Sequence, residues 1–306
     1  MTVRIFVTGA DDGQVARSLG EAAAASSDVE VGFGAPPTMD LTRPETIFPA
    51  VEAFAPDVVV NAAAYTAVDR AESEPELVYA MNRDGAAATA AAAARLGVPI
   101  IQFSTDYVFD GAKDGAYVEA DLPSPQGVYG SSKLEGERAV AAANPRHFIL
   151  RTAWVYAPFG SNFVRTMLRL SAERDRLTVV DDQIGCPTYA PDIADAILAL
   201  ARLWSREGWR DEHAGVTHLA GPDAVTWCDF ARQIVAGAAA RGGRRVEVDA
   251  ITTAQYPTPA RRPANSRLST ERLASVFGIR LPGLETSLAA CLDRLAITAP
   301  AVGAPR

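Results

Sequence analysis

Val3-Arg4-Ile5-Phe6-Val7-Thr8-Gly9-Ala10-Asp11-Asp12-Gly13-Gln14-Val15-Ala16 decides the fold. Val3 to Val7 is a β-rich run, Thr8-Gly9 closes it, and a helix starts by Ala16. Strand, Gly-rich turn and helix start therefore fall inside one βα unit. Glycine lets the backbone approach a pyrophosphate, and the free N–H groups of the first helical turn hold it. The spacing is G-x-x-x-G-x-x-A, with Ala16 in place of a third glycine. Taken alone, such a turn also serves plain helix packing, and Asp11 and Asp12 suit a phosphate only if they point outward.

The alternation continues downstream. Val29 to Phe33 reads as a second strand, followed by Gly34-Ala35-Pro36. No carboxylate stands there to bind an adenosine ribose and no arginine to bind a 2′-phosphate, which gives NADP(H) a slight edge. Pro44 to Phe54 is predicted as a helix with Thr42 as its N-cap. Val58-Val59-Val60-Asn61 is a buried strand, ending in Ala62-Ala63-Ala64-Tyr65-Thr66. Those small residues suit either a ligand lying on backbone or a tight strand-to-helix turn. An Ala-rich helix is expected from Glu76 to Leu96, with Asn82, a poor helix former, bridging neighbouring elements. Val98 to Phe103 is the next strand and delivers Ser104-Thr105-Asp106-Tyr107 to the sheet edge where ligands of open α/β sheets bind. The rhythm predicts an α/β protein with a Rossmann-type, doubly wound parallel sheet. Past Tyr156 it loosens. Residues 1–155 are expected to be mainly a dinucleotide-binding domain, 156–295 mainly a smaller substrate-binding cap with returning segments, and 296–306 a loose Ala/Pro-rich tail.

Val128-Tyr129-Gly130-Ser131-Ser132-Lys133 carries the chemistry. Positions i and i+4 share a helix face, so Tyr129 and Lys133 point the same way. An ammonium beside a phenol favours the phenolate, making the pair a proton donor or acceptor usable near neutral pH. Thr105 offers a third hydroxyl. An ordinary amphipathic helix explains the pair poorly, because Lys113 and Lys133 are the only lysines among 29 basic residues.

Composition narrows the classes. Hydrophobic residues at 48% and charged residues at 22% describe a soluble globular chain, and 306 residues bury a large core. A net charge of -8 argues against a general nucleic-acid or anionic-membrane binder. Cys186, Cys228 and Cys291 are scattered without CxxC spacing, and three histidines form no ligand cluster, so no protein-built metal site is expected. No signal peptide or spanning apolar run is visible, which points to the cytoplasm.

Six stretches together resemble the extended short-chain dehydrogenase/reductases, and among them the dTDP-4-dehydrorhamnose reductases. They are Asn61–Asp69 (NAAAYTAVD), Ser104–Gly111 (STDYVFDG), Tyr129–Glu137 (YGSSKLEGE), Arg151–Tyr156 (RTAWVY), Asp182–Thr188 (DQIGCPT) and Tyr256–Leu268 (YPTPARRPANSRL). The resemblance implies NADPH or NADH as cofactor, held by Gly9, Asp12, Gly13, Gln14, Val15, Asp40, Leu41, Ala62, Ala63, Ala64, Tyr129 and Lys133. It implies a dTDP-linked keto-sugar as substrate, contacted by Thr66, Val68, Ser104, Thr105, Asp106, Tyr107, Trp154 and Arg262. Tyr129, Lys133 and Thr105 become the catalytic group. Tyr107 stands where sugar-nucleotide 4,6-dehydratases of the same superfamily carry Glu, which favours simple reduction over elimination. Arg261, Arg262 and Arg267 are candidates for a diphosphate, since guanidinium binds phosphate oxygens in a fork. Some members dimerise through metal-bridged glutamates; Ser18 and Pro191, beside Asp192, stand at those positions here, so a monomer without metal is expected. Three other readings share these residues: a ketoreductase for another dTDP-keto-sugar, a nucleotide-sugar epimerase, and the regulatory subunit type of methionine adenosyltransferase.

Overall fold

Successive side chains of a strand point to opposite faces, and in this chain both faces are apolar. The computed structural model describes residues 2–295; the tail expected to be loose lies outside them. The chain runs β1 (Val3–Thr8), α1 (Gln14–Ala24), β2 (Val29–Gly34), α2 (Ile47–Phe54), β3 (Val58–Asn61), α3 (Val68–Ala71), α4 (Pro75–Tyr79), α5 (Ala86–Arg95), β4 (Ile100–Thr105), α6 (Val128–Ala143) and β5 (His147–Thr152). Ile5 and Val7 of β1, Val58 and Val60 of β3, and Ile101 and Phe103 of β4 enter one cluster with α1. The alternate residues Phe6, Val59 and Ile100 enter another with Ile47 and Val51 of α2 and the alanines of α5. Continuous Val/Ile runs are what a sheet covered on both faces needs.

The second half runs β6 (Val155–Tyr156), α7 (Phe163–Glu173), β7 (Arg176–Val180), β8 (Ile184–Gly185), β9 (Thr188–Tyr189), α8 (Ala190–Glu207), β10 (Gly215–His218), β11 (Val225–Thr226), α9 (Trp227–Ala239), β12 (Glu247–Ile251), β13 (Asn265–Ser266), α10 (Glu271–Phe277) and α11 (Leu284–Arg294). Two pieces return to the first half. β10 pairs in parallel with β5 to complete a six-stranded sheet of order β10-β5-β4-β3-β1-β2. α8 lays Ile193, Ile197, Leu200 and Trp204 on the α1 face of that sheet. The remaining elements enclose a separate core that includes Tyr156, Met167, Leu177, Phe230, Ile234 and Leu288. Strand order reverses between β1 and its neighbours β2 and β3, which opens a crevice at their C-terminal ends.

Two helices differ from the sequence expectation for local reasons. Thr42 does not cap the helix near Pro44: its hydroxyl and its N–H both donate to Asp40 Oδ1 at 2.8 Å. That Asx turn delays entry, so a 3₁₀ turn, Pro44–Thr46, precedes α2. The Ala-rich segment is not one α-helix either. A π-helical stretch, Ala80–Gly85, separates α4 from α5. Asn82 within it accepts from the Tyr65 N–H at 2.8 Å and donates to the Tyr65 carbonyl at 3.1 Å and to Ser132 Oγ at 3.0 Å. The expected bridging by Asn82 is thus what the widened turn accommodates; such bulges concentrate at functional sites. The three cysteines are free and buried. Among the described residues no helix is long and apolar enough to cross a membrane.

Candidate active site

The crevice at the ends of β1, β3, β4 and β5 is a cleft of about 480 Å³. Gly9 takes φ +104°, which L side chains rarely adopt, and turns the chain from β1 towards α1. Gly13 then precedes α1 with extended backbone and no side-chain cap, leaving the first N–H groups of the helix free for an anion. Asp11 and Asp12 are exposed, and of the two only Asp12 reaches the cleft wall. Thr8 fastens the opposite lip: its hydroxyl donates to Asn61 Oδ1 at 2.5 Å and accepts from the Ala63 N–H at 3.1 Å. A left-handed glycine, an uncapped helix start and a strip of three alanines across the strand switch fit a dinucleotide. Gly9, Asp12, Gly13, Gln14, Val15, Ala62, Ala63 and Ala64 all line this cleft. Asp40 and Leu41 do not. Asp40 is engaged by Thr42, which holds its carboxyl below the usual range, and Leu41 is buried in the α2 and α5 cluster.

The catalytic candidates meet on the far wall. α6 lies close against the Tyr107 carbonyl, where a Cβ on Gly130 would collide. That approach sets Tyr129 and Lys133 facing Thr105 across the cleft. The Thr105 hydroxyl donates to Asp106 Oδ1 at 2.9 Å and accepts from the Tyr107 N–H at 3.2 Å. The other Asp106 oxygen, Oδ2, is buried without a partner. Burial pushes the Asp106 carboxyl up to about 6, against the neighbouring Ser266 and Thr105 hydroxyls, which pull it down. Burial likewise pushes the Tyr129 phenol up to about 12, with the neighbouring Thr105 hydroxyl pulling it down and Asp106 adding to the rise. The phenol is thus raised, not lowered as the Tyr129–Lys133 spacing implies, because withdrawal from water disfavours the phenolate. Lys133 is itself pushed down to about 8 by burial, opposed by the Glu137 charge.

Glu137, one turn after Lys133, anchors this wall. It accepts Ser104 Oγ at 2.5 Å and a bidentate pair from Arg151 at 2.8 and 2.6 Å, with both partners of the ion pair almost fully buried. Lys133 makes no side-chain hydrogen bond among the described residues and is 3% exposed.

Thr66, Val68, Ser104, Thr105, Asp106, Tyr107 and Trp154 line the same cleft, so the sugar candidates and the catalytic group share one space. Arg262 lines a second cleft instead, about 430 Å³, with Phe163, Met167, Trp227, Tyr256 and Thr258. Its guanidinium donates in a fork to Asp69 at 3.0 and 2.8 Å, bridging the two halves of the chain. Of the other two arginines, Arg261 reaches Gln126 at 3.3 Å and Arg267 turns onto Asn265 at 2.8 Å; neither lines either of these two clefts. The clefts adjoin where Trp154, in the first, stacks on Trp227, in the second.

The RmlD substrate binding domain family matches residues 3–297. A dTDP-4-dehydrorhamnose reductase of Sinorhizobium fredii is 50% identical over 285 residues, covering 93% of this chain and 95% of the relative. The chain belongs to this reductase family. Two solved members superpose on nearly its whole length. The Bacillus anthracis dTDP-4-dehydrorhamnose reductase in complex with NADP has a TM-score of 0.87 at 32% identity, covering 96% of this chain and 99% of its own. The Clostridium acetobutylicum orthologue has a TM-score of 0.86 at 36% identity, covering 95% and 99%. The six-stranded parallel sheet is thus the extended short-chain dehydrogenase/reductase architecture expected of the family. Three residues that shape this site have no assigned role in the sequence reading. Thr8 and Trp227 carry no local signal there. Glu137 does: it stands four residues after Lys133, the spacing that singles out Lys133 after Tyr129.

Proposed function

We propose that this chain reduces the C4 carbonyl of dTDP-4-dehydro-6-deoxy-L-mannose to dTDP-L-rhamnose, with NADPH preferred modestly over NADH. One observation carries the reading. A cleft shaped for a dinucleotide ends at Tyr129, Lys133 and Thr105, and a second cleft with a guanidinium on its wall opens beside it. The names of the relatives and the NADP complex of the Bacillus anthracis neighbour support it over the epimerase and regulatory-subunit readings.

Reduced nicotinamide supplies the hydride. Gly9, Gly13, Gln14 and the Ala62–Ala64 strip bind the dinucleotide against backbone. Lys133, desolvated and without a side-chain hydrogen bond, holds a ribose hydroxyl and keeps positive charge near the phenol. Tyr129, whose proton burial secures at neutral pH, gives it to the oxygen that becomes the alcohol. The Thr105 hydroxyl turns from Asp106 to that oxygen and meets charge that develops in the transition state. Trp154 and Tyr107 bound the sugar, and Arg262 exchanges Asp69 for the diphosphate. Residues 1–155 act mainly on the cofactor and 156–295 mainly on the nucleotide. The protein works as a monomer without metal: Ser18 is buried and donates to the Gln14 carbonyl at 2.7 Å, and Asp192 accepts from Ser287 at 2.5 Å.

The purified chain given the keto-sugar nucleotide and NADPH should consume about one NADPH per sugar, as a single hydride step requires. Reduction of only a different keto-sugar favours the sister ketoreductase, and no reduction with a co-purifying partner enzyme favours the regulatory subunit. NADPH and NADH should differ in kcat/KM by less than about tenfold. Light scattering that is unchanged by EDTA and gives one chain per particle is expected.

A further inference from the structure

Trp154 is held more tightly than a simple wall residue requires. Its backbone has φ +49°, a left-handed conformation that is an outlier for a bulky side chain. Such a conformation persists only where the surroundings over-determine it, and it concentrates at ligand clamps. Two neighbours hold it here. The indole lies so close to the Gly185 backbone that any Cβ there would overlap ring atoms Cε2, Cζ2 and Nε1. Trp227 covers an indole face, with ring centroids 3.4 Å apart and planes 7° from parallel. Trp227 is fixed in turn. It opens α9 directly after Thr226, whose hydroxyl accepts the Asp229 N–H at 3.0 Å, and Phe163 lies 4.5 Å from its ring. The two indoles serve different spaces: Trp154 lines the first cleft and Trp227 the second.

We propose that Trp227 is a substrate-positioning residue: with Trp154 it forms a two-indole wall shared by both clefts, so that a nucleotide resting on Trp227 sets where Trp154 presents the sugar to Tyr129. The proposal rests on the sugar-nucleotide reading above. Aromatic rings offer rigid apolar area and favour stacked contact, and a pyrimidine ring has a π face of its own. Because both indoles are fixed and in contact, a nucleotide seated on Trp227 is held at a set distance from Trp154 and the sugar it bounds. Mere core packing would make Trp227 matter to stability alone. A shared wall makes it matter to nucleotide affinity and to sugar placement, but not to the dinucleotide at the Gly9 end.

Trp227→Leu and Trp227→Phe are compared with the parent by dTDP calorimetry, by kinetics with the keto-sugar nucleotide at saturating NADPH, and by NADPH binding. Trp227→Leu should weaken dTDP binding and raise KM by about tenfold. The drop in kcat should be smaller and NADPH affinity should be unchanged. Trp227→Phe, which keeps a ring, should recover most of the loss. Stacked indoles also couple in far-UV circular dichroism, and the Trp154–Trp227 part of that signal should be lost in Trp227→Leu, leaving the part from Trp204 and Trp209, whose rings lie 5.0 Å apart. Unchanged dTDP affinity and KM in Trp227→Leu overturn the proposal, as does an equal loss of NADPH binding. A parent that reduces no keto-sugar, while Trp227→Leu still weakens dTDP binding, sinks the reductase reading and upholds the wall.

Discussion

The first cleft keeps ionisable groups away from water: Tyr129, Lys133 and Asp106 face it, and the Glu137–Arg151 pair backs them. The second presents Phe163, Met167, Leu177, Trp227 and Tyr256, and of its two guanidinium groups, Arg174 and Arg262, the latter is already paired with Asp69. In the first cleft, burial moves proton affinities, down for Lys133 and up for Tyr129 and Asp106. In the second, the Asp69 fork strengthens the hold of Arg262 on its proton. Withdrawing a charge from water is costly and is useful where a proton must move. Recognition of a nucleotide needs surface and a fixed fork instead.

The largest test of this contrast removes the phenol oxygen. Tyr129→Phe should fold and bind NADPH as the parent does, yet lose about 10²- to 10⁴-fold in kcat. Near-parental kcat would place the proton donor elsewhere. Next is the buried pair behind the first cleft. Glu137→Gln leaves Arg151 charged and unpaired among buried groups, including His218, which burial and Arg151 push down to about 3. A loss of about 3–5 kcal/mol in denaturant unfolding is expected. A loss well under that range would mean water reaches the pair. A comparable ion pair in the second cleft, Arg262–Asp69, is partly solvated and should cost far less to break.

The third test uses pH. Lys133 falls from 10.5 unfolded to about 8 in the folded cleft. Below the folded value both states carry the ammonium, so the burial penalty is whole, on the order of 3 kcal/mol. Between the two values the unfolded chain binds more protons, and stability rises with pH. The stability advantage of Lys133→Met should therefore be full below pH 8 and fade towards pH 10.5. A constant difference between the two proteins across that window would show that Lys133 is well solvated. The smallest effect belongs to the second cleft. Arg262→Ala should raise KM for the sugar nucleotide about tenfold and leave kcat within about twofold. An equal fall in kcat would make the second cleft part of the chemistry.

What the sequence made legible follows the range of each interaction. Gly9 to Ala16 and the Tyr129–Lys133 pair are local patterns, and both fall where the cleft is. The parallel sheet was legible because both faces of its strands are apolar, as at Ile5, Phe6 and Val7. Contacts across long separations were not. Arg262 reads as a free cation until Asp69, 193 positions earlier, is brought beside it. Asp40 stands among the cofactor residues the resemblance implies, and only the fold shows its carboxylate engaged by Thr42 and away from the cleft lining. The direction of the Tyr129 shift was also hidden, because spacing reports the neighbouring Lys133 but not how little water reaches the pair. Trp227 carries no local signal, and only its 3.4 Å stack on Trp154 sets it apart.

The return of α8 and β10 bears on how the chain is made. The sheet that holds Tyr129's cleft lacks its sixth strand until His218 has been added, and one face stays uncovered until Ile193 to Trp204 arrives. A ribosome that has released only the first 155 residues has therefore exposed Ile5, Val7, Val60 and Phe103 without their cover. The half that holds the first cleft is completed only late in synthesis, together with the segments that surround the second cleft. Neither half can be borrowed as a separate module without rebuilding that face.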